Sequence, residues 1–214
     1  LNALLPAFGK RYLGEITPKM LEEYKAQRLE TVTPATVNRE ITCIKHMFAK
    51  AVEWGYVQRN PLKEVKKLKE PPGRLRYLTR EEIAALLDAC NHHLRPIVVT
   101  ALNTGMRKSE ILSLKWRDLD LKNRRITVTN TKNNEIRVIP INETLYRELL
   151  GLDRTTGSEY VFSNGKGEPY GDVKKGFTSA VRKAGIKDFR FHDLRHTFGS
   201  HLVMQGVDLR TVPV

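Results

Sequence analysis

Residues 100–121 read TALNTGMRKSEILSLKWRDLDL. The pattern predicts a helix over 94–104 that stops at Gly105, because glycine breaks one helix and lets the next begin close by. A second helix is expected over 107–115, with Arg107 in its first turn and its side chain free to reach a ligand. Glu110, three residues on, is placed to pair with Arg107 or to cap the new helix. A plain helix–turn–helix junction with a solvent-facing arginine fits the same residues.

Thr79-Arg80-Glu81-Glu82 upstream is a capping box, with Glu82 at the third helical position, and it opens a helix over 80–90. Downstream, RRITVT (124–129) and EIRVIPI (135–141) alternate in strand fashion around Asn133-Asn134, which predicts a β-hairpin with Lys132 at its tip. Helices are expected near 143–150, 172–184 and 192–205, and Tyr160-Val161-Phe162 as a short strand. Residues 1–69 read as all helix. Thr17-Pro18 and Thr33-Pro34 each give an N-cap followed by proline at the first helical position. Val37, Ile41, Ile44, Phe48 and Val52 then form a helical stripe that Gly55 is placed to end. Asn38, Arg39, Lys45 and Lys50 are assigned to the polar side of that helix.

Between the two parts, residues 63–76 (KEVKKLKEPPGRLR) are basic, with Pro71-Pro72-Gly73 in the middle. They read as an interdomain linker, centred on 70–76, or as a strap along a phosphate backbone with Arg74 and Arg76 as contacts. An exposed loop fits as well. The expected architecture is mainly α with a small β-hairpin or sheet: a helical domain over 1–69, a linker over 70–76, and a larger mixed α+β domain over 77–214.

The net charge of +13 is spread along the chain, with +7 in residues 1–76 and +6 in 77–214. Two basic domains point to a polyanionic partner, of which nucleic acid is the usual one. Cys43 and Cys90 lie far apart in helical patterns, outside any CxxC or Cys/His cluster, which suits thiols in a reducing compartment and gives no metal site. With no signal peptide and no apolar run long enough to span a bilayer, a cytoplasmic protein without a membrane partner is expected.

His192-Asp193-Leu194-Arg195 places a histidine and an arginine on one face at the start of a helix. Together they can bracket one phosphate: arginine offers a planar fork, histidine moves a proton near neutral pH, and the helix start adds positive potential. HxxR by itself also fits two surface residues, and a lysine on a hairpin tip is common.

In combination these residues resemble a family. TALNTGMRKSEILSLKWRDLDL is similar to the first arginine box of the tyrosine recombinases, the phage-integrase family, and FRFHDLRHTFGSHLVMQGVDL (189–209) to the second, with the hairpin lysine between them. ITPKMLEEYKAQR, TPATVNREI and AVEWGYVQRNPL resemble the family's helical, SAM-like core-binding domain, so the resemblance covers nearly the whole chain and points to the integrase and Xer-like branch. It implies a C-shaped clamp on duplex DNA, protomers working as tetramers on two duplexes, and no cofactor or metal. A tyrosine attacks the scissile phosphate to give a 3′-phosphotyrosyl link and a free 5′-hydroxyl, which rejoins elsewhere. Carried over, Arg107 and Arg195 stabilise the charge on the non-bridging oxygens, and Lys132 protonates the leaving 5′-oxygen. His192 hydrogen-bonds the phosphate and assists proton transfer. Glu110 supports the site, and His196 packs beside it. Asn38, Arg39 and Lys45 are candidate major-groove contacts.

One departure is expected to matter. Tyr12, Tyr24, Tyr56, Tyr77, Tyr146, Tyr160 and Tyr170 all precede His192, whereas the family's nucleophile follows the HxxR motif, and only 19 residues follow Arg195. The resemblance therefore implies a recombinase core truncated before its nucleophile, or one whose tyrosine comes from another polypeptide. A DNA-binding-only module and a helix-turn-helix regulator are the competing classes.

Overall fold

The computed structural model describes residues 2–129, 136–152 and 157–208. The chain divides into two compact units, Leu1–Gly73 and Arg74–Val214.

The first unit holds α1 (Leu5–Phe8), α2 (Pro18–Leu29) and α3 (Pro34–Glu53). Both helices begin at their prolines as expected; the Thr17 hydroxyl accepts the Met20 N–H at 3.3 Å, whereas the Thr33 hydroxyl makes no cap bond to the backbone and instead meets the Thr36 hydroxyl at 3.2 Å. On α3 the buried stripe is Val37, Ile41, Ile44, Phe48 and Ala51. It closes at Ala51 rather than Val52 because a spacing of three keeps better pace with the 3.6-residue turn at that point. Gly55, at φ +78°, ends the helix. Its N–H donates to Val52 O at 3.0 Å and the Tyr56 N–H to Ala51 O at 2.8 Å, the paired bonds of a Schellman motif. The stripe packs with Leu21 and Tyr24 of α2 and with Phe8, Leu62 and Val65.

In the second unit come α4 (Arg80–Ala89), α5 (Leu94–Thr104) and α6 (Lys108–Leu112), then β1 (Leu119–Asp120), β2 (Arg125–Val128) and β3 (Arg137–Pro140), then α7 (Glu143–Leu150), α8 (Lys174–Lys183) and α9 (Asp193–Met204). The capping box forms at α4: Thr79 Oγ1 accepts the Glu82 N–H at 3.2 Å, and Glu82 Oε2 accepts the Thr79 N–H at 3.0 Å. The hairpin gains a third strand, giving an antiparallel sheet in the order β1-β2-β3 with Leu119 opposite Ile126 and Ile126 opposite Ile139. Two residues are too few to show an alternating pattern, so β1 is legible only through its partner. At 160–162 the expected strand is reduced to a single bridge, Tyr160 with Lys115. Helix α6 stops at Leu112, short of the expected 115.

One continuous core joins Ile126 and Ile139 of the sheet to Ile97 and Val98 of α5, Leu145 and Leu149 of α7, and Leu194 of α9. Each of these is under 5% exposed, so each stabilises the fold by about 1.5–3 kcal/mol of apolar burial. Cys43 and Cys90 are free and half-buried, and burial pushes the Cys90 thiol up to about 11. Among the described residues no helix is long and apolar enough to cross a membrane.

Candidate functional site

The two motifs that stand 90 residues apart meet at Gly105. Gly105 adopts φ +62° and caps α5, its N–H donating to Ala101 O at 3.1 Å. A Cβ built there would lie 2.5 Å from Cδ1 of Phe198 on α9, so the glycine is what lets α9 approach. The Gly105 carbonyl then accepts a hydrogen bond from Nη1 of Arg195, which is buried in the first turn of α9. One residue thereby ends a helix, seats a second and anchors the arginine of HxxR.

Arg107 is the N-cap of α6 rather than a first-turn residue. Glu110 both pairs with it and caps the helix: its Oε2 accepts the Arg107 N–H at 2.8 Å, and its Oε1 accepts Arg107 Nη1 at 3.0 Å. The Glu110 side chain is only 4% exposed, while that of Arg107 is 41% exposed. A second guanidinium reaches the same carboxylate, with Nη2 of Arg137 donating to Glu110 Oε2 at 2.5 Å.

The electrostatics mark these residues as one cluster. Burial lowers the pKa of Arg195, and Arg107 and Arg137 act in the same direction, with Glu110 opposing them. His192 is also held below the usual histidine value, first by desolvation, then by His196 and Arg195, and further by Arg107, against Asp193. The His192 and His196 rings sit edge to face with centroids 5.0 Å apart. The arrangement is several fixed cations around one carboxylate, with an imidazole at the rim whose protonated form is disfavoured. Such a cluster can hold an anion and pass a proton to or from it.

Lys132 lies outside the described residues. Arg137 was missed in the sequence, although a signal exists. In β3 it shares a face with buried Ile139, two residues on, where an apolar side chain is the ordinary choice.

Several candidate DNA contacts are engaged inside the fold. Asn38 does not lie on the polar side of α3. It is buried, and its amide takes the Leu68 N–H at 2.8 Å while donating to Leu68 O at 2.9 Å and Glu70 Oε1 at 2.5 Å. Lys45 donates to the carbonyls of Lys63 at 2.7 Å and Val65 at 3.0 Å. Residues 63–70 are thus a strap clamped onto the first unit, which exposes Lys63, Lys66, Lys67 and Lys69. Arg74 pairs with Asp188 and Asp193, and Arg76 holds the capping-box carboxylate of Glu82 with two bonds, at 3.0 and 2.5 Å. Both arginines are therefore engaged by carboxylates of the second unit itself. Arg39 is exposed, as expected. Among the described residues no group of His, Cys, Asp or Glu side chains could hold a metal ion.

Comparison with known proteins is consistent along the whole chain. Residues 1–69 match the phage integrase N-terminal domain and residues 76–214 the phage integrase family. The integrase of Escherichia phage 186 is 34% identical over 193 residues, covering 86% of this chain and 53% of the integrase. The tyrosine recombinase XerC of Staphylococcus epidermidis is 30% identical over 192 residues, covering 83% of this chain and 64% of XerC. The chain spans about half the length of the phage integrases it matches. A lambda integrase tetramer bound to a Holliday junction has the same fold, with a TM-score of 0.83 at 20% identity, covering 99% of this chain and 67% of that one. With its motifs, its fold and both of its matched segments in agreement, the chain belongs to the phage integrase family of tyrosine recombinases.

Proposed function

We propose that these residues form the DNA-gripping, phosphate-holding part of a site-specific recombinase. Residues 1–69 act as the core-binding domain and 77–214 as the catalytic domain, on duplex DNA in the cytoplasm and together with further protomers. Arg107 and Arg195 would bear on the non-bridging oxygens of the scissile phosphate, where charge grows in the transition state. His192, whose protonated form its surroundings disfavour, would accept or return a proton. Lys132 would protonate the leaving 5′-oxygen, and Glu110 would hold Arg107 in place. Arg39 is the proposed groove contact on α3, where Asn38 and Lys45 fix the strap of the first unit; Arg74 and Arg76 act within the second unit, through its own carboxylates.

The observation that carries this reading is the junction at Gly105, which brings Arg195 within hydrogen-bonding distance of the turn that presents Arg107. A helix-turn-helix regulator has no need for that convergence. The seven tyrosines all precede His192, so by the family's order of residues none of them is the nucleophile. These 214 residues should therefore bind and not cleave.

The experiment is a nicked suicide-substrate assay together with a mobility-shift titration. Salt-sensitive duplex binding without a covalent adduct is expected, because phosphate contacts dominate such affinity. Arg107→Ala should leave overall affinity largely intact, since many basic residues share the contact. A covalent adduct formed by these residues alone, or loss of all binding in Arg107→Ala, would overturn the reading.

A further inference from the structure

We propose that Arg137 is a positioning residue for the phosphate site, acting through Glu110 to keep the charge of Arg107 available to an anion. The proposal rests on the reading of Arg107 and Arg195 as phosphate ligands.

Glu110 bears a single negative charge in a nearly closed environment and receives three donors: the Arg107 N–H, Arg107 Nη1 and Arg137 Nη2. If Arg107 were its only cationic partner, the two would form a closed, neutral pair. The Arg107 guanidinium would then be held by a buried carboxylate with no competing cation, a poor arrangement for a phosphate ligand. Arg137 changes that balance. With two guanidiniums on one carboxylate the trio has a net positive charge, and Arg195 adds to it. Among the described residues only Nη1 of Arg107 is bound by another side chain, and that side chain is Glu110. Of the two guanidiniums on Glu110, that of Arg107 is the more exposed, with 41% of its side chain accessible against 21% for Arg137.

The placement of Arg137 fits this role better than a packing role. It opens β3 opposite Val128 of β2, on the inward register it shares with Ile139. Its Nε is buried and has no hydrogen-bond partner among the described residues. An isoleucine or leucine would cover the same face without a buried, unpaired donor, so packing alone does not account for an arginine there. The bond to Glu110 also ties the first residue of β3 to α6, linking the strand that follows the Lys132 connection to the helix that Arg107 caps.

The test uses the 214-residue chain and inorganic phosphate as the probe, with binding read from the His192 ring resonance by NMR and folding checked by urea unfolding. Arg137→Gln removes the charge and, being two bonds shorter, the contact to Glu110 with it, while leaving a polar side chain at the position. It should weaken phosphate binding about tenfold, as expected for one nearby charge acting through a partly screened site. Arg137→Lys, which retains the charge, should recover most of that loss. The decisive comparison is Arg137→Gln with Glu110→Gln. Removing the carboxylate frees Arg107 again, so the double variant should bind phosphate more tightly than Arg137→Gln alone. If Arg137 were only a structural prop, the second substitution would make matters worse. Unchanged phosphate affinity in folded Arg137→Gln, or a double variant no better than the single one, overturns the proposal. Should Arg137→Gln not fold, Arg137→Met, with its longer apolar stem, is read by the same criteria. Arg107→Ala separates this proposal from the reading beneath it: if wild type and Arg107→Ala give the same phosphate titration, the phosphate site itself is wrong.

Discussion

Gly105→Ala perturbs the point on which the site depends, and its cost can be worked from the structure. The residue sits at φ +62°, where an L side chain costs about 1–2 kcal/mol. The new Cβ would also stand 2.5 Å from Cδ1 and 3.0 Å from Cε1 of Phe198. Forcing a methyl into a packed contact of this kind costs about 1–3 kcal/mol. The sum, about 2–5 kcal/mol, corresponds to a fall in Tm of about 4–20 °C for a chain of this size. Urea unfolding monitored by circular dichroism measures it, and a double-mutant cycle with Phe198→Ala divides it. Without the ring, only the backbone term should remain, so Gly105→Ala should cost about 1–2 kcal/mol in that background. Because Arg195 hangs on the Gly105 carbonyl, phosphate binding should fall by more than the loss of folded protein explains. A cost below about 0.5 kcal/mol in the wild-type background, the range of an ordinary surface change, would refute the reasoning. So would an equal cost with and without the ring.

Three further outcomes are expected. His192 should titrate below the ordinary histidine value of about 6.5, and Arg107→Ala should move its NMR midpoint upward, since that charge opposes protonation. The depressed value means that the unfolded chain binds the proton first as pH falls. The His192 contribution to stability is therefore full above about 6.5 and is lost on acidification down to the folded midpoint, where its slope ends. A rise in the urea midpoint between pH 7 and pH 6 would contradict the sign, and His93, lowered by burial and by His92, acts in the same direction. Asn38→Ala should destabilise the first unit by about 1–3 kcal/mol, because the Leu68 N–H and carbonyl lose their partner; an unchanged urea midpoint would count against the strap. Arg39→Ala should lower the salt slope of duplex binding by about one unit with stability unchanged, whereas Arg76→Ala should lower stability with the slope unchanged; the reverse pattern would exchange their roles.

Local chemistry made much of the fold legible. Thr17-Pro18 and the Thr79–Glu82 box start helices because a cap involves residues only three apart, and Pro34 starts α3 because its fixed φ suits the first helical position. Gly55 and Gly105 stop them because a positive φ is a property of one residue. The buried stripe of α3 and the pairing of β2 with β3 follow from side-chain periods of 3.6 and 2. The order of Arg107, the hairpin, His192 and Arg195 was visible as a pattern for the same reason: it is written along the chain.

The partners of the polar side chains were decided elsewhere. Asn38 looks solvent-facing until residues 68–70 return to cover it, and Lys45 until Lys63 and Val65 offer it their carbonyls. Arg74 finds Asp188 and Asp193 more than a hundred residues away. Arg137 looks like an ordinary strand residue until α6 brings Glu110 beneath it. A cap or a stripe depends on neighbours within a few residues, so the sequence by itself determined the elements and the order of the site residues. A long polar side chain answers to whichever backbone or carboxylate reaches it in space. Only the tertiary structure could therefore decide which of the many basic residues hold the protein together and which remain for an anion.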